Sequence, residues 1–151
     1  MKEMGLRLAD IAHRTGGRLV GADVVIASLQ RDSRQVAQGD LFLALKGERF
    51  DAHDFVPQIA NQASAALVSR PVACDLPQVV VDDVRLALGR FAASWRQDFA
   101  KPVIALTGSN GKTTLKEMLT SILSQRGETL ATIGNLNNDI GAPLTLLGLR
   151  P

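Results

Sequence analysis

Residues 103–119 set an apolar run, a Gly-rich turn closed by Gly111-Lys112-Thr113, and an amphipathic segment in direct succession. Few folds accept that order. Val103, Ile104, Ala105 and Leu106 predict a parallel strand buried on both faces. Gly108 and Gly111 supply the permissive backbone of a sharp turn. Leu115, Met118, Leu119, Ile122 and Leu123 then share one helix face, and Gly127 is placed to end it. The turn's backbone N–H groups sit at a helix N-terminus, where the dipole favours an anion. Lys112 is in reach of β- and γ-phosphates and the Thr113 hydroxyl can ligate Mg²⁺. Leu106 stands where the usual phosphate-loop pattern has its first glycine. An ordinary strand–helix turn with an exposed lysine is the competing structural reading, and the pattern alone marks a nucleotide binder, not a reaction.

The rest of the chain alternates strands and helices, which predicts an α/β architecture. Leu8, Ile11, Ala12 and Thr15 mark a first helix, ended by Gly16-Gly17. Residues 18–20 and 24–28 predict two strands of a hairpin around Gly21-Ala22-Asp23. Further strands are expected at 41–45, 65–68 and 79–81. A helix capped by Asp54 is expected to run to Gln62, with Pro57 in its first turn. Asp82 or Asp83 caps a helix whose face is Val84, Leu88, Phe91, Ala92 and Trp95. The expected boundary falls near Asp82, dividing a small α/β domain (1–82) from the start of a phosphate-loop domain (83–151) with two parallel strands.

Composition narrows the class. Apolar residues make up 46% of the 151 residues, enough for a packed core. The net charge of +2 is dispersed, with no basic arm for nucleic acid. No apolar stretch has the length of a membrane span, and no apolar signal segment follows Lys2 and Arg7. The single cysteine, Cys74, cannot form an internal disulfide, which suits a reducing compartment; it is expected to be inert. A cytoplasmic protein without nucleic-acid or membrane partners is expected.

Two motifs then point to one family. T-G-S-N-G-K-T-T (107–114) resembles the ATP loop of the Mur ligases, which build the peptide of bacterial peptidoglycan. G-N-L-N-N-D-I-G-A-P-L-T-L-L (134–147) is more specific. It resembles the branch that joins D-alanyl-D-alanine to UDP-N-acetylmuramoyl-tripeptide, as does the run 31–55 with R-D-S-R and L-K-G-E-R-F. The Asp82-Asp83-Val84-Arg85 helix entry agrees. The resemblance extends from about Leu6 to the end of the chain and implies the N-terminal third of a longer, monomeric enzyme, inactive as this piece alone. A sister ligase that adds a diamino acid one step earlier is the nearest alternative, and a non-catalytic UDP-sugar and ATP binding module is another.

By that resemblance, Gly108, Ser109, Asn110, Gly111, Lys112, Thr113 and Thr114 hold the ATP phosphates. Lys112 and Thr113 are the catalytic pair, and Thr113 also serves Mg²⁺. The resemblance assigns Arg31, Ser33, Glu48, Arg49 and Phe50 to the UDP end of the substrate. It assigns Asn135, Asn137 and Asn138 to the muramoyl and diphosphate part. Each has a plainer reading from the residues alone. Asp32-Ser33-Arg34 also fits a polar turn with a local salt bridge, and the asparagines fit a loop whose amides cap its own backbone. Asp51, His53 and Asp54 lack the further ligands of a metal shell and are expected in a surface loop. His13 is expected in solvent, and Phe91 and Trp95 in a core or between domains.

Overall fold

Short apolar runs separated by Gly, Asp and Pro fold into a mixed sheet followed by helices. The computed structural model describes residues 4–48, 50–134 and 138–150. The order is β1 (Leu6–Arg7), α1 (Leu8–Thr15), β2 (Arg18–Val20), β3 (Val25–Ile26), β4 (Ser28–Gln30), β5 (Asp40–Leu43), a 3-10 turn (Ala52–Phe55), β6 (Ala65–Val68), β7 (Gln78–Val80), α2 (Val84–Gln97), α3 (Lys112–Leu123) and α4 (Gly141–Leu146). The chain divides after Phe91, within α2, into two compact units; the boundary read from the sequence stands earlier, near Asp82.

In the first unit the main sheet has the order β2-β7-β6-β5-β4. β4, β5, β6 and β7 run parallel, and β2 joins β7 antiparallel. β5 and β6 are buried at every position, so they read as unbroken apolar runs. Phe42, Ala44, Ala66 and Val68 pack with Val36, Val56, Ile59 and Leu76 on one face. The alternate residues Leu41, Leu43, Ala65 and Leu67 are equally buried and belong to the opposite face by strand alternation. α1 packs against β2 and β7, burying Leu8 and Ile11.

Three element expectations need correction. The hairpin does not form: β2 pairs with β7, and β3 pairs antiparallel with β1. Asp23, read as its turn residue, instead accepts the Ala9 N–H at 2.9 Å and pairs with Arg7 at 2.7 Å, capping α1 from across the chain. The helix from Asp54 to Gln62 is a 3-10 turn followed by irregular turns. Its cap is Asp51, which accepts the His53 N–H at 3.0 Å. Pro57 explains the early end, since it has no N–H to offer the His53 carbonyl.

Third, residues 103–106 form no strand, and Val103 and Ile104 are exposed. A strand needs a neighbouring edge, and among its described residues the second unit has none. Neither of the two parallel strands expected there forms among the described residues of that unit. α3 forms as expected but buries no residue: Leu115, Met118, Ile122 and Leu123 all face solvent. The second unit packs Ile140, Gly141 and Leu147. Trp95 donates to the Leu149 carbonyl at 3.0 Å, with the Arg150 guanidinium 5.7 Å from its ring centre. The α2 entry is as expected, with Asp83 accepting the Leu86 N–H at 2.9 Å.

Candidate functional site

Parallel pairing brings the chain past β4, β5 and β6 out at one edge of the sheet. Open α/β sheets bind ligands at this carboxyl edge. Arg31–Arg34 follow β4, Lys46–Phe50 follow β5, and Ser69-Arg70 follow β6. The sequence-predicted residues Arg31, Ser33, Glu48 and Phe50 are thus gathered on two of these three adjacent loops. Arg49 lies outside the described residues.

The loop after β4 is ordered by its own side chains. Gln30 Oε1 accepts the Arg31 and Asp32 N–H groups at 2.8 and 3.0 Å. Arg34 grips Asp32 through two bonds of 2.9 and 2.7 Å. This side-chain pairing, together with the Arg34 backbone N–H, draws the Asp32 carboxyl down to about 2. The local salt bridge is real, and it leaves Ser33 half-buried between its members. Arg31 and Glu48 are exposed. Phe50 is 64% exposed, and its ring meets Phe55 edge-on at 6.4 Å. An aromatic face held open to solvent suits stacking on a base.

Behind that loop lies a network the sequence did not reveal. Asp51 accepts from Arg70 at 2.7 Å and lies 2.5 Å from His53 Nδ1. The Arg70 guanidinium, followed by the His53 N–H, holds the Asp51 carboxyl well below the usual carboxylate range. His53 is 2% exposed and Asp51 is half-buried, so of the surface loop expected at Asp51, His53 and Asp54 only Asp54 is fully exposed. No metal-binding group of three or more His, Cys, Asp or Glu exists among the described residues. Arg70 carried no local signal, standing far along the chain from Asp51.

In the second unit, Gly111 takes φ +79° as the residue before α3. An L side chain is strained there, so glycine is needed for backbone shape alone. α3 has no side-chain cap and no acid in its first turn. Its positive end is therefore unneutralised, and its first N–H groups suit an anion. Lys112 opens the helix and folds back to donate to the Gly108 carbonyl. Ser109, Asn110, Thr113 and Thr114 surround the same turn, all exposed. Thr113 offers one hard oxygen of the kind Mg²⁺ accepts, which leaves the remaining positions to phosphates and water. Asn138 Oδ1 accepts the Ile140 and Gly141 N–H groups at 3.3 and 2.7 Å, so that oxygen caps α4. Asn135 and Asn137 lie outside the described residues.

A cleft of about 700 Å³ lined by Gln38, Ser64, Asp75 and Pro77 opens at the opposite, amino edge of the sheet. None of the candidate residues lines it.

Residues 25–96 match the catalytic domain of the Mur ligase family, and residues 106–151 match the Mur ligase middle domain. The chain belongs to the Mur ligase family. Within it, the chain is 54% identical over 149 residues to the UDP-N-acetylmuramoyl-tripeptide–D-alanyl-D-alanine ligase of Escherichia coli K12, covering 98% of this chain and 33% of that protein. A crystal structure of MurF from Acinetobacter baumannii superposes with a TM-score of 0.89 at 51% identity, covering 94% of this chain and 32% of that one. The MurF ligase of Thermotoga maritima in complex with ADP gives 0.72 at 36% identity, covering 80% and 28%. The chain thus spans about a third of the length of these relatives.

Proposed function

We propose that this chain is the UDP-substrate and phosphate-binding part of an ATP-dependent ligase. That ligase joins D-alanyl-D-alanine to UDP-N-acetylmuramoyl-tripeptide in the cytoplasm, as a monomer. The observation that carries the reading is the uncapped, acid-free N-terminus of α3, opened by Gly111 and Lys112. No described helix is long and apolar enough to cross a membrane.

The chemistry follows from the electrophile. A carboxylate resists attack by an amine until one oxygen becomes a leaving group. Transfer of the γ-phosphoryl group from ATP to the tripeptide carboxylate makes an acyl phosphate. The D-alanyl-D-alanine amine then adds to the carbonyl carbon, and the tetrahedral adduct collapses to an amide and inorganic phosphate. Gly108, Ser109, Asn110, Gly111 and Thr114 supply the loop around the phosphate chain. Lys112 exchanges its Gly108 carbonyl for β- and γ-oxygens and stabilises charge as phosphoryl transfer proceeds. Thr113 would hold Mg²⁺, which neutralises phosphate charge.

In the first unit, Ser33 meets uracil or ribose, Arg31 and Arg49 meet phosphate, Glu48 meets a donor of the UDP end, and Phe50 packs on the base. Asn135, Asn137 and Asn138 serve the muramoyl–diphosphate part, Asn138 through its amide N–H₂. The domains carrying these roles are 1–82 and 83–151.

The test supplies the complete ligase with ATP and either UDP-muramoyl-dipeptide or UDP-muramoyl-tripeptide, each with D-alanyl-D-alanine or a diamino acid. Phosphate release and amide product are expected only from tripeptide with D-alanyl-D-alanine. Product from the dipeptide with a diamino acid would replace this reading with the sister ligase.

A further inference from the structure

Among the described residues, an Asp–His–Ser line at the carboxyl edge is not used by the ligation chemistry. His53 Nδ1 lies 2.5 Å from Asp51 Oδ1, and its Nε2 lies 3.1 Å from Ser69 Oγ. These distances match a hydrolytic triad. The lone pair that a general base needs is taken, however, because the Ser69 backbone N–H donates to Nε2 at 2.8 Å. That donor places the imidazole proton on Nδ1, where it bonds to Asp51. His53 is a two-ended bracket: one nitrogen holds Asp51, the other holds the first residue beyond β6.

Gly47 and Phe50, in the loop after β5, hang on this bracket. Lys46 and Asp51 form a backbone bridge. The Gly47 N–H donates to the Phe50 carbonyl at 3.0 Å, and the Ala52 N–H donates to the Leu45 carbonyl at 3.1 Å. Arg70 fastens the second oxygen of Asp51 at 2.7 Å, and its other nitrogen lies 3.7 Å from Asp54. Phe55, on the same 3-10 turn as His53, sets the Phe50 ring. A buried polar group with both ends bonded specifies one local geometry.

We propose that Asp51, His53 and Arg70 are positioning residues that hold Gly47, Glu48 and Phe50 of the loop after β5 in their nucleotide-binding form, with the buried imidazole as pivot. The proposal rests on the reading that this loop meets the UDP end of the substrate. It extends that reading to three residues that would act on the ligand only through the loop.

The test compares the 151-residue chain with His53→Phe, which keeps a ring and removes both nitrogens, and with Arg70→Gln, which alters an exposed side chain. Amide hydrogen exchange is read at Gly47 and Ala52, with Ala66 in the sheet as reference, and UDP affinity is read by calorimetry. Both variants are expected to exchange faster at Gly47 and Ala52 with Ala66 unchanged, and to raise the UDP Kd about tenfold. Arg70→Lys, which keeps a cation for Asp51, is expected to recover most of the affinity lost in Arg70→Gln. Unchanged exchange at Gly47 and Ala52, or unchanged UDP affinity in a variant that keeps Ala66 protected, would overturn the proposal. If His53→Phe also loses protection at Ala66, Arg70→Gln decides. If the unaltered chain binds no UDP, the substrate reading fails and loop exchange alone decides whether the bracket exists.

Discussion

A Cβ on Gly17 would lie 2.7 Å from the Cγ1 atoms of both Val79 and Val81 and 3.0 Å from the Val80 carbonyl. These are valine side chains and backbone with no flexible end to yield. Gly17→Ala is therefore expected to cost about 1–3 kcal/mol in urea unfolding; an unchanged midpoint would show that β2 and β7 can part freely. Lys112 is a residue of the opposite kind, half-buried and adding little to the fold. Lys112→Ala is expected to lower turnover of the complete ligase roughly a hundredfold to a thousandfold, because in the proposed role its charge acts on phosphoryl transfer. Full turnover in the variant would remove its assigned role. Asp51 links residue chemistry to pH. Its folded pKa lies below the ordinary 3.8, so the stability it contributes is complete above that value and is lost as pH falls through the folded one. Asp51→Asn should make the decline of the urea midpoint between about pH 5 and about pH 2 shallower; parallel curves would contradict the pairing with Arg70 and His53. The Gly-rich turn at the start of α3 was legible at this scale because its residues are contiguous. Arg70 was not, because its meaning comes from a carboxylate that only the fold brings near.

Elements formed where their partners are local or where both faces are covered. α1, α3, β2 and β6 lie where periodicity and Gly punctuation put them. The hairpin and the 54–62 helix failed for nearby reasons: Asp23 serves the α1 N-terminus, and Pro57 removes a backbone donor. The apolar run 103–106 failed for a different reason, since hydrophobicity marks a strand's surroundings and cannot create a neighbour for it. α3 shows the same division. Its apolar stripe is as predicted, yet Leu115 is 47% and Met118 59% exposed. Replacing Leu115 and Met118 with Gln should therefore change the stability of this chain by no more than about 0.5 kcal/mol each. Phe42→Ala, in the buried sheet, should cost about 3–5 kcal/mol. A large loss from the α3 substitutions, measured by chemical denaturation, would mean that the stripe is already packed.

At the level of the molecule, the α/β class and the family were both readable from sequence, because buried parallel strands and a glycine-rich loop leave contiguous signatures. The gathering of the candidate residues was not, since it depends on the parallel register of β4, β5 and β6, which turns three separate loops into one edge. That edge competes with the cleft at the amino side, where Gln38, Ser64 and Asp75 offer polar groups of their own. A crystal structure of the 151-residue chain grown with UDP separates the two most directly. The nucleotide is expected at the carboxyl edge, with uracil against Phe50 and Ser33 and the diphosphate toward Arg31. A nucleotide seated at the amino edge, or an unliganded carboxyl edge at saturating UDP, would contradict the assignment.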